Sequence, residues 1–129
     1  MNVTLYRAAD DDSITGLTCF SPKKSVAREY QNNRGFGGAN LYRAEVECDD
    51  AAILDIRSEC DADQVAALVE LTGIDMGSVT ADWLVVQERV AEALVSRGYR
   101  WVRLLDTYPV GAETWVYLYD GEDPELEQI

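Results

Sequence analysis

Four side chains carry most of the chemistry this chain can offer: Arg7, Ser21, Asp106 and Glu113. Each stands at the end or start of a stretch that reads as a strand, in "NVTLYRA", "LTCFS", "YRWVRLLD" and "ETWVYLY". If those strands are neighbours, their ends converge on one cleft, where loops usually carry function. The 129 residues include no histidine, which removes the commonest general base and the commonest zinc ligand. Chemistry is left to carboxylates, hydroxyls, phenols and thiols. An arginine that holds a phosphate, beside a carboxylate that stabilises positive charge or orients a ribose hydroxyl, suits displacement at a sugar carbon through an oxocarbenium-like transition state. Phe20, Tyr30 and Phe36 supply flat faces on which a ring-shaped leaving group stacks. Such a step needs no metal.

Each of these residues also has a local structural explanation. Ser21 before Pro22 is a helix-opening pair whose cap contributes about 1 kcal/mol. Arg7 suits a strand edge, and Asp106 and Glu113 flank a turn holding Pro109 and Gly111. Trp83 and Trp115 sit at amphipathic positions that suit a core better than a ligand platform. Cys19, Cys48 and Cys60 lack CxxC spacing and read as small apolar fillers in a reducing compartment. The loop "RGFGGAN" has no helix after it, so it is a weak phosphate-binding signal.

The elements that must position these groups follow from periodicity. "NVTLYRA" alternates as a strand and "LTCF" is a short second one. "SPKKSVAREYQN" opens as a helix with Ser21 at the N-cap and Pro22 at the first position, and turns Val26, Ala27 and Tyr30 to one face. "LYRAEVE" and "AILDI" are further strands. "DADQVAALVELTG" is an amphipathic helix with Val65, Leu68, Val69 and Thr72 inward, ended by Gly73. "TADWLVVQERVAEALVSRG" reads as one long helix capped by Thr80, with Trp83, Val86, Val90 and Leu94 at helical spacing and Gly98 as its stop. Two closing strands surround "TYPVGA". This order predicts an α+β fold: a split or mixed β-sheet core flanked by about three helices, in a single domain over residues 1–129 whose last ten residues are an acidic tail.

Charge narrows the partners. The net charge is -13, which opposes direct nucleic-acid binding because the dominant attraction there needs a basic face. Twelve acids and one base, Arg57, lie between Glu45 and Glu88, and the tail "DGEDPELEQI" adds five acids. Such asymmetry favours a basic protein partner and speeds encounter with it. No apolar run approaches a bilayer span and no export signal is legible at the start, so the expected location is cytoplasmic, with no membrane contact.

The succession "LYR", "FS", "PKKSVAREY", a glycine-containing loop and "LYRAEVE" resembles the N-terminal half of ADP-ribosyltransferase-fold proteins. "DWLVVQERVAEALVSRGYRWVRLLD" followed by "ETWVYL" is similar to the corresponding part of small phage ADP-ribosyltransferases that act as anti-CRISPR proteins. The resemblance spans about residues 3–119 and implies NAD as the substrate. It implies a protein target, a subunit of a bacterial CRISPR surveillance complex, modified inside the host cell. A toxin with an unrelated target, or a non-catalytic acidic inhibitor seated on a basic nucleic-acid-binding surface, are the other functions compatible with it.

Carried onto this chain, the resemblance assigns Arg7 to the NAD phosphates or ribose, Ser21 to the nicotinamide-ribose pocket and Tyr30 to the nicotinamide. Asp106 matches the acid that follows the "GY" strand in the phage group, and Glu113 matches the late-strand catalytic glutamate of broader members. The usual Ser-Thr-Ser run is reduced here to "TCFSP", and Gly111 stands where arginine-modifying members carry a second Glu or Gln. The acceptor residue is therefore open.

Overall fold

The computed structural model describes residues 1–14, 17–32, 38–107, 110–119, 121 and 123–129. The chain runs β1 (Asn2–Ala9), β2 (Thr18–Phe20), α1 (Lys24–Asn32), β3 (Asn40–Glu47), β4 (Ile53–Asp55), α2 (Asp61–Thr72), α3 (Ala81–Val85), α4 (Glu88–Ser96), β5 (Trp101–Thr107), β6 (Val110–Tyr117) and β7 (Glu127–Gln128). This is a mixed α+β fold with two sheets, of strand order β1-β3-β7 and β2-β6-β5-β4. Among the described residues only β4 and β5 pair in parallel. Among the described residues the backbones of the two sheets are joined at one isolated bridge, in which Tyr6 and Ser21 exchange hydrogen bonds of 2.7 and 2.9 Å.

Strand alternation sends the two faces of the second sheet to different cores. One face presents Phe20, Trp101, Trp115 and Tyr117 to Leu5, Ala44 and Val46 of the first sheet, and its rings meet edge to face, Phe20 to Trp101 at 5.6 Å and Trp101 to Trp115 at 6.1 Å. The other face presents Val102, Leu104 and Val116 to Leu68, Leu84, Val85, Val90 and Leu94 of the helices. α1 packs on β1 and β3. Among the described residues no helix is long and apolar enough to cross a membrane.

Three expectations need correction. The long helix expected over residues 80–98 is two, so the described residues hold four α-helices and not about three. Gln87 adopts extended backbone, φ -74° and ψ 131°, and its Nε2 donates to the Trp83 carbonyl at 2.9 Å, closing the end of α3. Packing favours the break. α3 buries Ala81, Leu84 and Val85 while α4 buries Val90, Ala91 and Leu94. In one continuous helix, at 3.6 residues per turn, those two sets would face roughly 120° apart.

Ser21 is a bridge residue rather than the N-cap of α1, which begins at Lys24. Its hydroxyl still serves a turn, accepting from the Lys23 N–H at 3.1 Å. The tail is also more than solvated charge: β7 pairs with Tyr42 and Arg43 of β3, and the Arg43 guanidinium donates to Glu127 at 2.8 Å. In contrast, Gly73 ends α2 as expected, in the left-handed region at φ 70° with its N–H on the Val69 carbonyl.

Candidate active site

The register of the β5–β6 hairpin decides which acid meets which surface. Leu104 pairs with Thr114 and Leu105 with Glu113, after which the ladder slips before Thr107. Asp106 sits in that irregularity, where a bulge re-aims a side chain. Thr114 and Asp106 share the face of Leu104, and the Thr114 hydroxyl donates to Asp106 Oδ2 at 2.6 Å. From α1 the Tyr30 phenol donates to the same oxygen at 3.1 Å. From the first turn of α3 Asp82 borders the same space.

Burial is the largest influence on Asp106 and raises its pKa to about 6, with the Asp82 charge adding to the rise and the Thr114 and Tyr30 donors opposing it. A carboxyl poised there changes protonation near neutral pH, as proton-transfer chemistry requires. Burial and the Asp106 charge push the Tyr30 phenol upward, so it remains a donor.

Arg7, on β1, faces the same space. Its Nη1 donates to the Cys19 carbonyl at 3.2 Å, its Nε is buried with no hydrogen-bond partner, and it joins no ion pair among the described residues. Burial lowers its pKa, the mark of a desolvated cation without a full complement of acceptors. Cys19 is exposed and borders the same space. Its desolvated surroundings and the Asp106 charge raise its thiol to about 11, so it is no thiolate nucleophile at neutral pH.

These groups line one cleft of about 530 Å³ at the parting of the two sheets. Arg7, Phe20, Ser21, Tyr30 and Asp106 all border it. Phe20 is only 2% exposed and serves mainly as the core wall of the cleft. Phe36 lies outside the described residues.

Glu113 is elsewhere, because adjacent strand residues point to opposite faces and Thr114 takes the cleft side. The Glu113 carboxylate accepts from Arg57 at 2.6 Å, Arg103 at 2.7 Å and the Trp115 indole at 3.1 Å. Arg103 lies 4.9 Å over the Trp115 ring. Burial works against the Glu113 charge, yet the Arg103 and Trp115 donors prevail and hold its pKa below the ordinary value.

Among the cleft residues that the sequence did not point to are Thr80, Asp82, Trp83 and Thr114. Trp83, expected inward on a long helix, is 45% exposed. The only sequence signal was the acid in the first turn after Thr80, which ordinary helix-dipole compensation explains as well. No protein-family model, curated protein or solved structure matches the chain.

Proposed function

We propose that the protein is an NAD-dependent mono-ADP-ribosyltransferase that modifies a protein target. The observation that carries this reading is the pairing, in one cleft, of a desolvated guanidinium with no acidic partner, Arg7, with a half-buried carboxylate held by two hydroxyl donors, Asp106. A ligand with anionic phosphates at one end and a cationic ring on a ribose at the other satisfies both. The volume falls within the range of about 300–1,000 Å³ typical of small-molecule sites. Two packed sheets whose backbones meet at the Tyr6–Ser21 bridge beside that cleft support the ADP-ribosyltransferase-like core that the sequence resembles.

In this reaction the Arg7 guanidinium binds the pyrophosphate. Asp106 lies against the nicotinamide ribose and stabilises positive charge as the C1′–N bond breaks. Nicotinamide leaves with that bond's electron pair, an acceptor side chain of the target bonds to C1′, and its proton passes to the Asp106 carboxylate. Tyr30 holds Asp106 and borders the nicotinamide, with Ser21 and Phe20 on the adjoining wall. Glu113, with its carboxylate shared among two guanidiniums and an indole, is assigned to structure rather than catalysis.

The net charge of -13 supports a target with a basic surface, and the resemblance points to a nucleic-acid-binding subunit of a CRISPR surveillance complex in the bacterial cytoplasm. Added ADP-ribose would bring bulk and negative charge to that surface and weaken its phosphate contacts. The acidic stretch from Glu45 to Glu88 also supports a second reading, steric and electrostatic inhibition without chemistry. Incubation with labelled NAD and candidate host complexes, read by mass spectrometry for an ADP-ribose adduct, separates the two. The adduct is expected with wild type and Glu113→Gln and lost with Asp106→Ala. Undiminished inhibition by Asp106→Ala without any adduct would establish the second reading.

A further inference from the structure

We propose that the groove between α4 and one end of the β2–β6 ladder is a docking surface for a short cationic segment of the protein target, carrying an apolar anchor among lysines or arginines. The groove has a volume of about 610 Å³ and shares no lining residue with the cleft. Its floor is apolar: Ala91 and Leu118 are buried, with Leu17 and Val95 half-buried beside them. Exposed Glu88, Glu92, Ser96 and Tyr119 form its rim. That the docked segment belongs to a modified target rests on the transferase reading, whereas the binding itself stands on the groove.

Charge selects the occupant. Glu88 and Glu92 stand one turn apart on α4, where like charges repel. Glu88 complements the helix dipole at the N-terminus, but Glu92 in the middle of the helix does not. Among the described residues neither makes an ion pair, and Arg89, the basic residue of α4, does not border the groove. A cation seated between the two glutamates relieves their repulsion, while the floor takes an aliphatic side chain out of water. The same rim repels nucleic acid and anionic lipid. A second copy would bring its own charge of -13 against it, and the chain's own tail is already paired on β3.

Tyr119 strengthens the assignment. Among the described residues it is the one non-glycine at positive φ, 59°, a conformation that is costly for an L residue and gathers at functional sites. Its ring is 50% exposed and meets Tyr117 edge to face at 6.2 Å, which holds it upright on the groove rim as a ready aromatic contact. The ladder also fixes the distance to the cleft. Thr18 pairs with Tyr117 and Phe20 with Trp115, so Leu17 and Leu118 mark one end, while Ser21 and Thr114, which line the cleft, mark the other. Four residues of strand span about 13 Å, close enough for a segment held in the groove to present a neighbouring side chain to the cleft.

The test titrates the protein with a fluorescein-labelled peptide of lysine and leucine, read by anisotropy and by amide NMR shifts, with a lysine and serine peptide as control. Shifts should concentrate at Ala91, Val95 and Leu118, and the serine peptide should bind far more weakly. Affinity should fall about tenfold in Glu88→Gln/Glu92→Gln and little in Glu47→Gln/Glu70→Gln, which removes the same charge outside the groove. Tyr119→Gly should also lose about tenfold in affinity, yet melt no lower than wild type, because glycine accepts that φ without strain. Equal losses in the two glutamine pairs, or shifts spread along the acidic stretch, overturn the proposal. Sedimentation of wild type as a dimer that Val95→Glu dissociates would give the groove to a second copy and overturn it too. Failure of wild type to bind NAD in calorimetry refutes the transferase reading instead, with the peptide titration still deciding whether the groove docks a cationic segment.

Discussion

Tyr30 and Asp106, 76 positions apart in the chain, meet through a hydrogen bond of 3.1 Å from the phenol to Oδ2. This contact ties α1, which packs on the first sheet, to the β5–β6 hairpin of the second. It therefore spans the cleft at the place where the sheets part.

Removing that donor tests whether the contact orients the carboxyl. Tyr30→Phe deletes one oxygen and leaves the ring, so the hydrogen bond that favours ionised Asp106 is lost and its pKa should rise further. NAD affinity at neutral pH should fall by roughly tenfold, since a hydrogen bond to a charged group is worth about 1.5–3 kcal/mol. Calorimetric titration measures the change, and an unaltered affinity would remove Tyr30 from the ligand-binding machinery.

Asp106 should exact a stability cost that its replacement relieves. Its folded pKa of about 6 lies above the value near 4 of a free carboxyl. Between those values the native state binds more protons than the unfolded chain, so stability is greatest below about pH 4 and falls as pH rises through about 6. Asp106→Asn, which keeps an oxygen for Thr114 and Tyr30, should raise the melting temperature by roughly 3–5 °C at about pH 8, from a screened gain of about 1 kcal/mol. The gain should vanish near pH 3.5 or so, and adduct formation should be lost at every pH.

Glu113 should show the opposite pH dependence. Its pKa is held below the ordinary value, chiefly by Arg103 once burial is overcome. Its stabilisation is therefore present above the unfolded value and lost as pH falls through the depressed folded one. Glu113→Gln should cost about 1–2 kcal/mol at neutral pH, and the gap from wild type should close in acid. Denaturant melts at two pH values measure it, and NAD binding in the cleft should be unchanged.

Arg7→Ala should weaken NAD binding by about 10–100-fold, the effect of removing a charge-assisted phosphate contact worth about 1.5–3 kcal/mol. Folding stability should change little, because the guanidinium is desolvated and unpaired by any acid. Nicotinamide riboside, which has the ring and ribose but no phosphate, should bind wild type and Arg7→Ala alike. A parallel loss with that ligand would move the Arg7 contact away from the phosphates.

Trp83 offers a direct optical readout. Of the three tryptophans, Trp101 and Trp115 are about 1% exposed whereas Trp83 is 45% exposed at the cleft. Ligand rings that stack there should quench Trp83 emission. The quenching should disappear in Trp83→Phe without loss of stability, because an exposed ring contributes little to the core.

Much of the scaffold was legible locally. The alternation in "NVTLYRA", the apolar spacing around Leu68 and the glycine after Thr72 all reflect interactions within a few residues, and the corresponding elements form at those places. The helix break was not legible, since Val86 and Gln87 continue an unbroken helical pattern. Only the need to bury both Leu84 and Leu94 against one sheet face makes two helices better than one.

The same division holds for the candidate site. From the sequence alone come the absence of histidine, the acidic net charge and the presence of Arg7, Ser21, Tyr30 and Asp106 beside strand or helix signals. Tertiary structure decided between Asp106 and Glu113 as the acid in the cleft, because strand alternation makes neighbours face opposite ways and only the pairing of Leu104 with Thr114 fixes which way. It also brought Asp82 to the cleft that Asp106 lines. That approach depends on how α3 lies across β5, a long-range packing choice that no local spacing records.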